Sequence, residues 1–247
     1  MNRFDATPVL LTGAASGIGR ATAVRLVAEG AHVFAVDRDQ DGLARTVAAA
    51  DGPGRIVTRA ADVTDEESVV ATVRSAVESL GGVQVLVNVA GIHRTTPIES
   101  LTVADLRQLF DVNLVGTALF CREAVPHLPH GRGVIVNVAS SAAAHGNPYM
   151  SAYAASKGAV LAFSLTLAAE LAGRGIRVVP VSPGTVATPL TRAVTPGDLD
   201  FSYYGRIRSL MGPATPEQLA GAIAFAASPD ASYLTGAELR VDGGSHT

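Results

Sequence analysis

Tyr153 and Lys157 are four residues apart in the segment Ala152–Leu171, which reads as a helix, so their side chains fall on one face. A free phenol ionises near pH ~10 and is a poor base at neutral pH. A cation held beside it favours the phenolate. Lysine suits that task better than arginine, because a compact ammonium can also reach ribose hydroxyls. Composition singles out the same position: the 19 basic residues are 18 arginines and one lysine, Lys157. The pair offers general acid–base chemistry.

Two further features supply a place for it. The apolar run Val134–Val138 leads into Ala139-Ser140-Ser141. In an open parallel sheet ligands sit beyond the carboxyl ends of the strands, and a serine there can hydrogen-bond a carbonyl or the alkoxide formed from it. Upstream, the run Val9–Thr12 enters Gly13-Ala14-Ala15-Ser16-Gly17-Ile18-Gly19 and then a helical pattern. Glycines let the backbone approach a pyrophosphate, and the helix start offers free N–H groups and partial positive charge. Asp37 ends the next strand, 18 residues after Gly19. A carboxylate there binds the ribose hydroxyls of adenosine and repels a 2′-phosphate by about 4 kcal/mol at ~4 Å and an effective dielectric near ~20. The expected cofactor is therefore NAD, with Arg38 read as a solvated side chain.

These residues need a scaffold. Short β-branched runs at Val9–Thr12, Val33–Asp37, Ile56–Ala60, Val85–Asn88, Val134–Val138, Arg177–Val181 and Leu239–Val241 alternate with amphipathic segments. Several runs are apolar at nearly every residue, as parallel strands buried on both faces are. Asp65-Glu66-Glu67 and Pro216-Glu217 open helices, and Leu101–Val125 and Ala152–Leu171 read as longer ones. The alternation predicts an α/β fold: one doubly wound, Rossmann-type parallel sheet of about seven strands with helices on both faces. A single domain over residues 1–247 is expected, with a substrate lid near 187–213 that holds Phe201, Tyr203, Tyr204, Arg206, Arg208, Leu210 and Met211. Its aromatics hint at an apolar or cyclic substrate. Its arginines either attract an anion or are solvated.

Thr12-Gly13-Ala14-Ala15-Ser16-Gly17-Ile18-Gly19, Asn88-Val89-Ala90-Gly91, Asn113, Ser140, Tyr153-Ala154-Ala155-Ser156-Lys157 and Pro183-Gly184-Thr185-Val186-Ala187-Thr188 occur in this order. Over essentially the whole chain this resembles the short-chain dehydrogenase/reductase family. The resemblance implies that Tyr153 is the general acid/base, that Lys157 tunes it and holds the nicotinamide ribose, and that Ser140 polarises the substrate. It implies that Asn113 holds a proton-relaying water. Gly13, Ser16, Gly17, Ile18 and Gly19 would cradle the phosphates, and Asp37, Asp62, Val63, Asn88, Ala90 and Gly91 the adenosine side. Pro183, Val186 and Thr188 would hold the carboxamide end. Val89 replaces the family's usual second Asn, and Gln84 its usual Asp. The implied activity is hydride transfer between a secondary alcohol or ketone and NAD, by a homotetramer with long helices and the C-terminal segment at its interfaces. The rivals are an NADPH-dependent 3-oxoacyl-[acyl-carrier-protein] reductase and a non-catalytic dinucleotide sensor.

Other features exclude or stay neutral. A net charge of −3 opposes nucleic-acid binding, and no membrane span is expected. The N-terminal residues lack the basic-then-apolar pattern of a secretory signal, so a cytoplasmic protein is expected. No metal is expected: Pro129 interrupts any helix that would align His127 with His130. Cys121 reads as a small buried hydrophobe. His93 and His145 lie near strand ends, and either line a pocket or decorate the surface.

Overall fold

The computed structural model describes residues 3–189, 199, 200, 202 and 207–245. Seven parallel strands form one sheet: β1 (Pro8–Thr12), β2 (His32–Asp37), β3 (Arg55–Ala60), β4 (Val85–Asn88), β5 (Val134–Val138), β6 (Arg177–Pro183) and β7 (Leu239–Val241). Their spatial order is β3-β2-β1-β4-β5-β6-β7. The order reverses between β1 and β4, which opens a crevice at their carboxyl ends.

Alternation along each strand feeds two cores. Val9, Leu11, Val85, Val87, Val134 and Val136 point to one face. There they meet α1 (Gly17–Ala28), α2 (Gln40–Ala49) and α7 (Pro216–Ala227). Leu10, Leu86, Ile135 and Val178 point to the other, toward α3 (Glu66–Leu80), α5 (Gly116–Ala124) and α6 (Ser151–Leu171). The central strands are thus apolar on both sides, whereas no residue of the edge strand β3 is fully buried.

Two expected boundaries shift for reasons that lie far away in the chain. β6 continues through Pro183 because β7 pairs with Val181–Pro183. The helix expected over 101–125 comprises α4 (Val103–Phe110), a π-helical turn (Asp111–Val115) and α5. Gly116 N–H reaches back five residues to the Asp111 carbonyl. Ser151–Arg174 is long and apolar enough, by composition, to cross a bilayer. Here it lies along β6 and holds Ser156, Lys157 and Ser164 buried. Of the expected lid, Phe201, Tyr203, Tyr204 and Arg206 lie outside the described residues, while Leu210 and Met211 are exposed.

Candidate active site

Helix starts show how the chain leaves one terminus open. Asp39, Asp65, Thr102 and Thr215 cap α2, α3, α4 and α7 by accepting from backbone N–H groups of their own first turns. Ser16, which opens α1, makes no such bond among the described residues. The first turn of α1 therefore faces the crevice with its N–H donors uncovered by a side chain. A β-carbon on Gly19 would overlap the Gly13 carbonyl, so only glycine lets the turn fold this tightly against the helix. Thr12 Oγ1 accepts from the N–H groups of Val89 (3.2 Å) and Ala90 (3.3 Å) and ties the ends of β1 and β4 together.

A cavity of about 360 Å³ runs along this edge. Its wall includes Gly13, Ser16, Gly17, Ile18, Gly19, Asp37, Asp62, Val63, Ala90, Gly91 and Thr188, all expected cofactor residues. The Asp37 carboxylate is fixed by the N–H groups of Ala15 (3.0 Å) and Asp39 (3.1 Å). Arg38, expected to be merely solvated, also forms part of the wall. Bonds from Thr64, aided by the nearby Arg38 charge, hold the Asp62 carboxyl below its ordinary range.

A recess of about 100 Å³ adjoins the cavity, and the two share Ile18, Val89, Gly91, Ile92 and Thr188. The recess brings together Ser140, Tyr153, Lys157, Pro183 and Val186. The Ser140 hydroxyl lies near enough to the Tyr153 phenol to favour its ionised form. Lys157 Nζ donates to the Val138 carbonyl at 2.8 Å. Burial lowers the Lys157 ammonium to about 8. Burial also raises the Tyr153 phenol, and the Ser140 hydroxyl pulls it back. The expected downward pull on Tyr153 thus comes here from Ser140, while the ammonium is turned to Val138.

Asn113 and Asn88 lie behind this surface. Asn113 Oδ1 accepts from Ile92 N–H (2.8 Å), and its Nδ2 donates to the Ile92 carbonyl (3.0 Å) and to Ser156 Oγ (2.9 Å). Ser156 Oγ donates to the Tyr153 carbonyl at 2.7 Å. Asn113 therefore clamps the β4 exit to the helix that carries Tyr153 and Lys157. Asn88, expected on the adenosine side, does not reach the cleft. It is buried, and its Nδ2 donates to Asn137 Oδ1 at 2.9 Å, because the two residues are register partners on β4 and β5. The reading of the sequence also missed Ile92, Val138 and Ala139 as wall residues. They act through backbone or plain apolar contact, which side-chain chemistry does not signal.

The donors fit a dinucleotide: open N–H groups at the centre, a fixed carboxylate at one end, and an acid–base pair at the other. A family model described as enoyl-(acyl carrier protein) reductase matches residues 13–246. The chain belongs to the short-chain dehydrogenase/reductase family. Among curated relatives of this family, the short-chain reductase protein NovJ of Streptomyces niveus is 41% identical, with 95% of this chain and 92% of that protein covered. The 3-oxoacyl-[acyl-carrier-protein] reductase FabG of Thermotoga maritima is 39% identical, with 98% of each covered. A short-chain dehydrogenase of Burkholderia cenocepacia, solved in complex with NADP, superposes with a TM-score of 0.90 at 32% identity, covering all of both chains. The protein is accordingly an oxidoreductase of the short-chain type built on a Rossmann fold.

Proposed function

We propose that the protein is an NAD-dependent enzyme that moves a hydride between a secondary alcohol and its ketone. The observation that carries this is the meeting of Ser140, Tyr153 and Lys157 in a recess continuous with a cleft that ends at Asp37. Bound nicotinamide would supply the hydride acceptor or donor. In oxidation, Tyr153 Oη takes the hydroxyl proton and Ser140 holds the substrate oxygen. Desolvation opposes both a bare phenolate and a bare ammonium here, so the charged pair is favoured by forming together. Asn113 and Ser156 keep the helix that carries them at a fixed distance from β4.

Asp37 supports NAD, since its fixed carboxylate opposes a 2′-phosphate. Arg38 on the same wall favours a second reading, an NADPH-dependent enzyme that reduces 3-oxoacyl groups, the substrate named for the FabG relative. The exposed apolar residues Val103 and Leu106 of α4, Leu165 of α6 and Phe225 of α7 support assembly through helices into a homotetramer.

Initial rates with NADH and NADPH on a ketone panel separate the cofactor readings. Tyr153→Phe is expected to lower kcat by at least ~1,000-fold with little change in the Kd of NAD. Near-native turnover in that variant overturns the assignment. Tight NAD binding with no hydride transfer across the panel favours a sensor.

A further inference from the structure

His93 borders Tyr153 next to the cleft. The two rings meet edge to face, with centroids 4.6 Å apart and planes at 71°. Ile92, one residue earlier, lines both recesses, but His93 is missing from the described walls of either. The imidazole therefore flanks the phenol at the edge of the recess and is only partly buried.

The ring is held in place. Thr96 N–H donates to the Tyr149 carbonyl at 2.7 Å, which pins the segment carrying His93 to the turn before α6. Asn113 grips Ile92 from behind. Among the described residues neither imidazole nitrogen has a hydrogen-bond partner, so both are available. Burial shifts the imidazole below its ordinary value, toward the neutral form that carries one donor and one acceptor. The adjacent cation, Arg94, is spent on Asp105 (3.2 Å) and Gln108 (2.6 Å). This flank thus offers neutral hydrogen bonding and no free positive charge from either residue.

Resting on the oxidoreductase reading above, we propose that His93 binds a second oxygen of the substrate. That oxygen would be a hydroxyl or carbonyl one or two carbons from the reacting carbon. The reacting oxygen would sit between Ser140 and Tyr153, beside the phenol ring that the imidazole touches with centroids 4.6 Å apart. One or two carbon–carbon bonds bridge such a gap. The favoured substrates are then uncharged vicinal diols, hydroxyketones or diketones, rather than simple alcohols or carboxylates. A neutral imidazole serves both oxidation states, since it accepts from a hydroxyl and donates to a carbonyl.

The test uses matched probes with NAD or NADH: cyclohexanol against its vicinal diol, and cyclohexanone against its α-hydroxyketone. The wild-type protein should favour the doubly oxygenated member of each pair by about tenfold or more in kcat/KM, mainly through KM. His93→Phe keeps the edge-on ring contact but removes both nitrogens, and should collapse that ratio toward one. His93→Asn, which restores a donor and an acceptor, should recover part of it. Equal efficiency within the pairs, or an unchanged ratio in His93→Phe, overturns the role of His93 and leaves the oxidoreductase reading standing. No turnover of any alcohol or ketone with either cofactor overturns that reading and this inference with it.

Discussion

A β-carbon built on Gly91 would stand 3.2 Å from the Lys157 ammonium nitrogen and 3.1 Å from Asn113 Oδ1. The β4 exit, the π-helical turn and α6 therefore converge on a point where a methyl group fits only if its neighbours give by a few tenths of an ångström. Gly91→Ala should push Lys157 off Val138 and loosen the Asn113 clamp together. We expect kcat/KM to fall by at least ~100-fold. Stability should fall by about 1–3 kcal/mol in urea melts. Full activity in this variant would show that the ammonium has slack that this packing denies it.

Lys157 should stabilise the reaction at the expense of the fold. Its folded-state value is about 8 against an ordinary 10.5, so between those pH values the unfolded chain binds more protons than the native one. Stability should therefore rise with pH across that window, and the whole cost of the buried charge, about 3 kcal/mol, is borne below it. The bond to Val138 returns about 1 kcal/mol of that in the wild type. Lys157→Met should then stabilise the cofactor-free protein at pH ~7 by roughly 2 kcal/mol. Denaturant titrations at several pH values should show this gap narrowing toward pH ~10, while turnover is lost.

Asp37 decides between the two cofactors. Asp37→Ala removes the charge that faces a 2′-phosphate and leaves Arg38 on the wall. The ratio of kcat/KM for NADPH over NADH should rise by ~100-fold or more. The two backbone N–H groups that lose their acceptor should lower stability by about 1–2 kcal/mol. A ratio that does not move would locate cofactor choice elsewhere in the cleft.

Arg177 acts at a distance from the chemistry. Its guanidinium donates to the carbonyls of Ala226 (2.9 Å), Leu234 (3.2 Å) and Ser228 (3.0 Å), where α7 ends. Arg177→Met should strand these acceptors and cost about 2–4 kcal/mol. The Tm should drop by roughly 5–10 °C, with KM values nearly unchanged at low temperature.

Much of this arrangement is legible in the residues because local signals and long-range packing agree. Val85–Asn88 and Val134–Val138 are strands at the expected boundaries because every residue in them is buried. The glycine turn, Asp37 and the Tyr153–Lys157 spacing each report a local backbone requirement. Asn88 was misplaced because its partner, Asn137, is set by strand register rather than by sequence neighbours. An asparagine in the middle of the apolar run 134–138 was the available clue, since a buried amide must find a partner. His93 stayed open between pocket and surface because nothing nearby in the chain reveals that α6 brings Tyr153 against it.

The wide turn over Asp111–Val115 sets a limit on how this gene can vary. Excising one codon there would regularise the helix and improve its backbone geometry. It would also remove the bulge that sets Asn113, and its amide would be drawn off Ile92. A length change that any helix propensity scale would welcome should therefore be purged wherever growth depends on the enzyme, and substitutions should be tolerated at these positions far more readily than deletions.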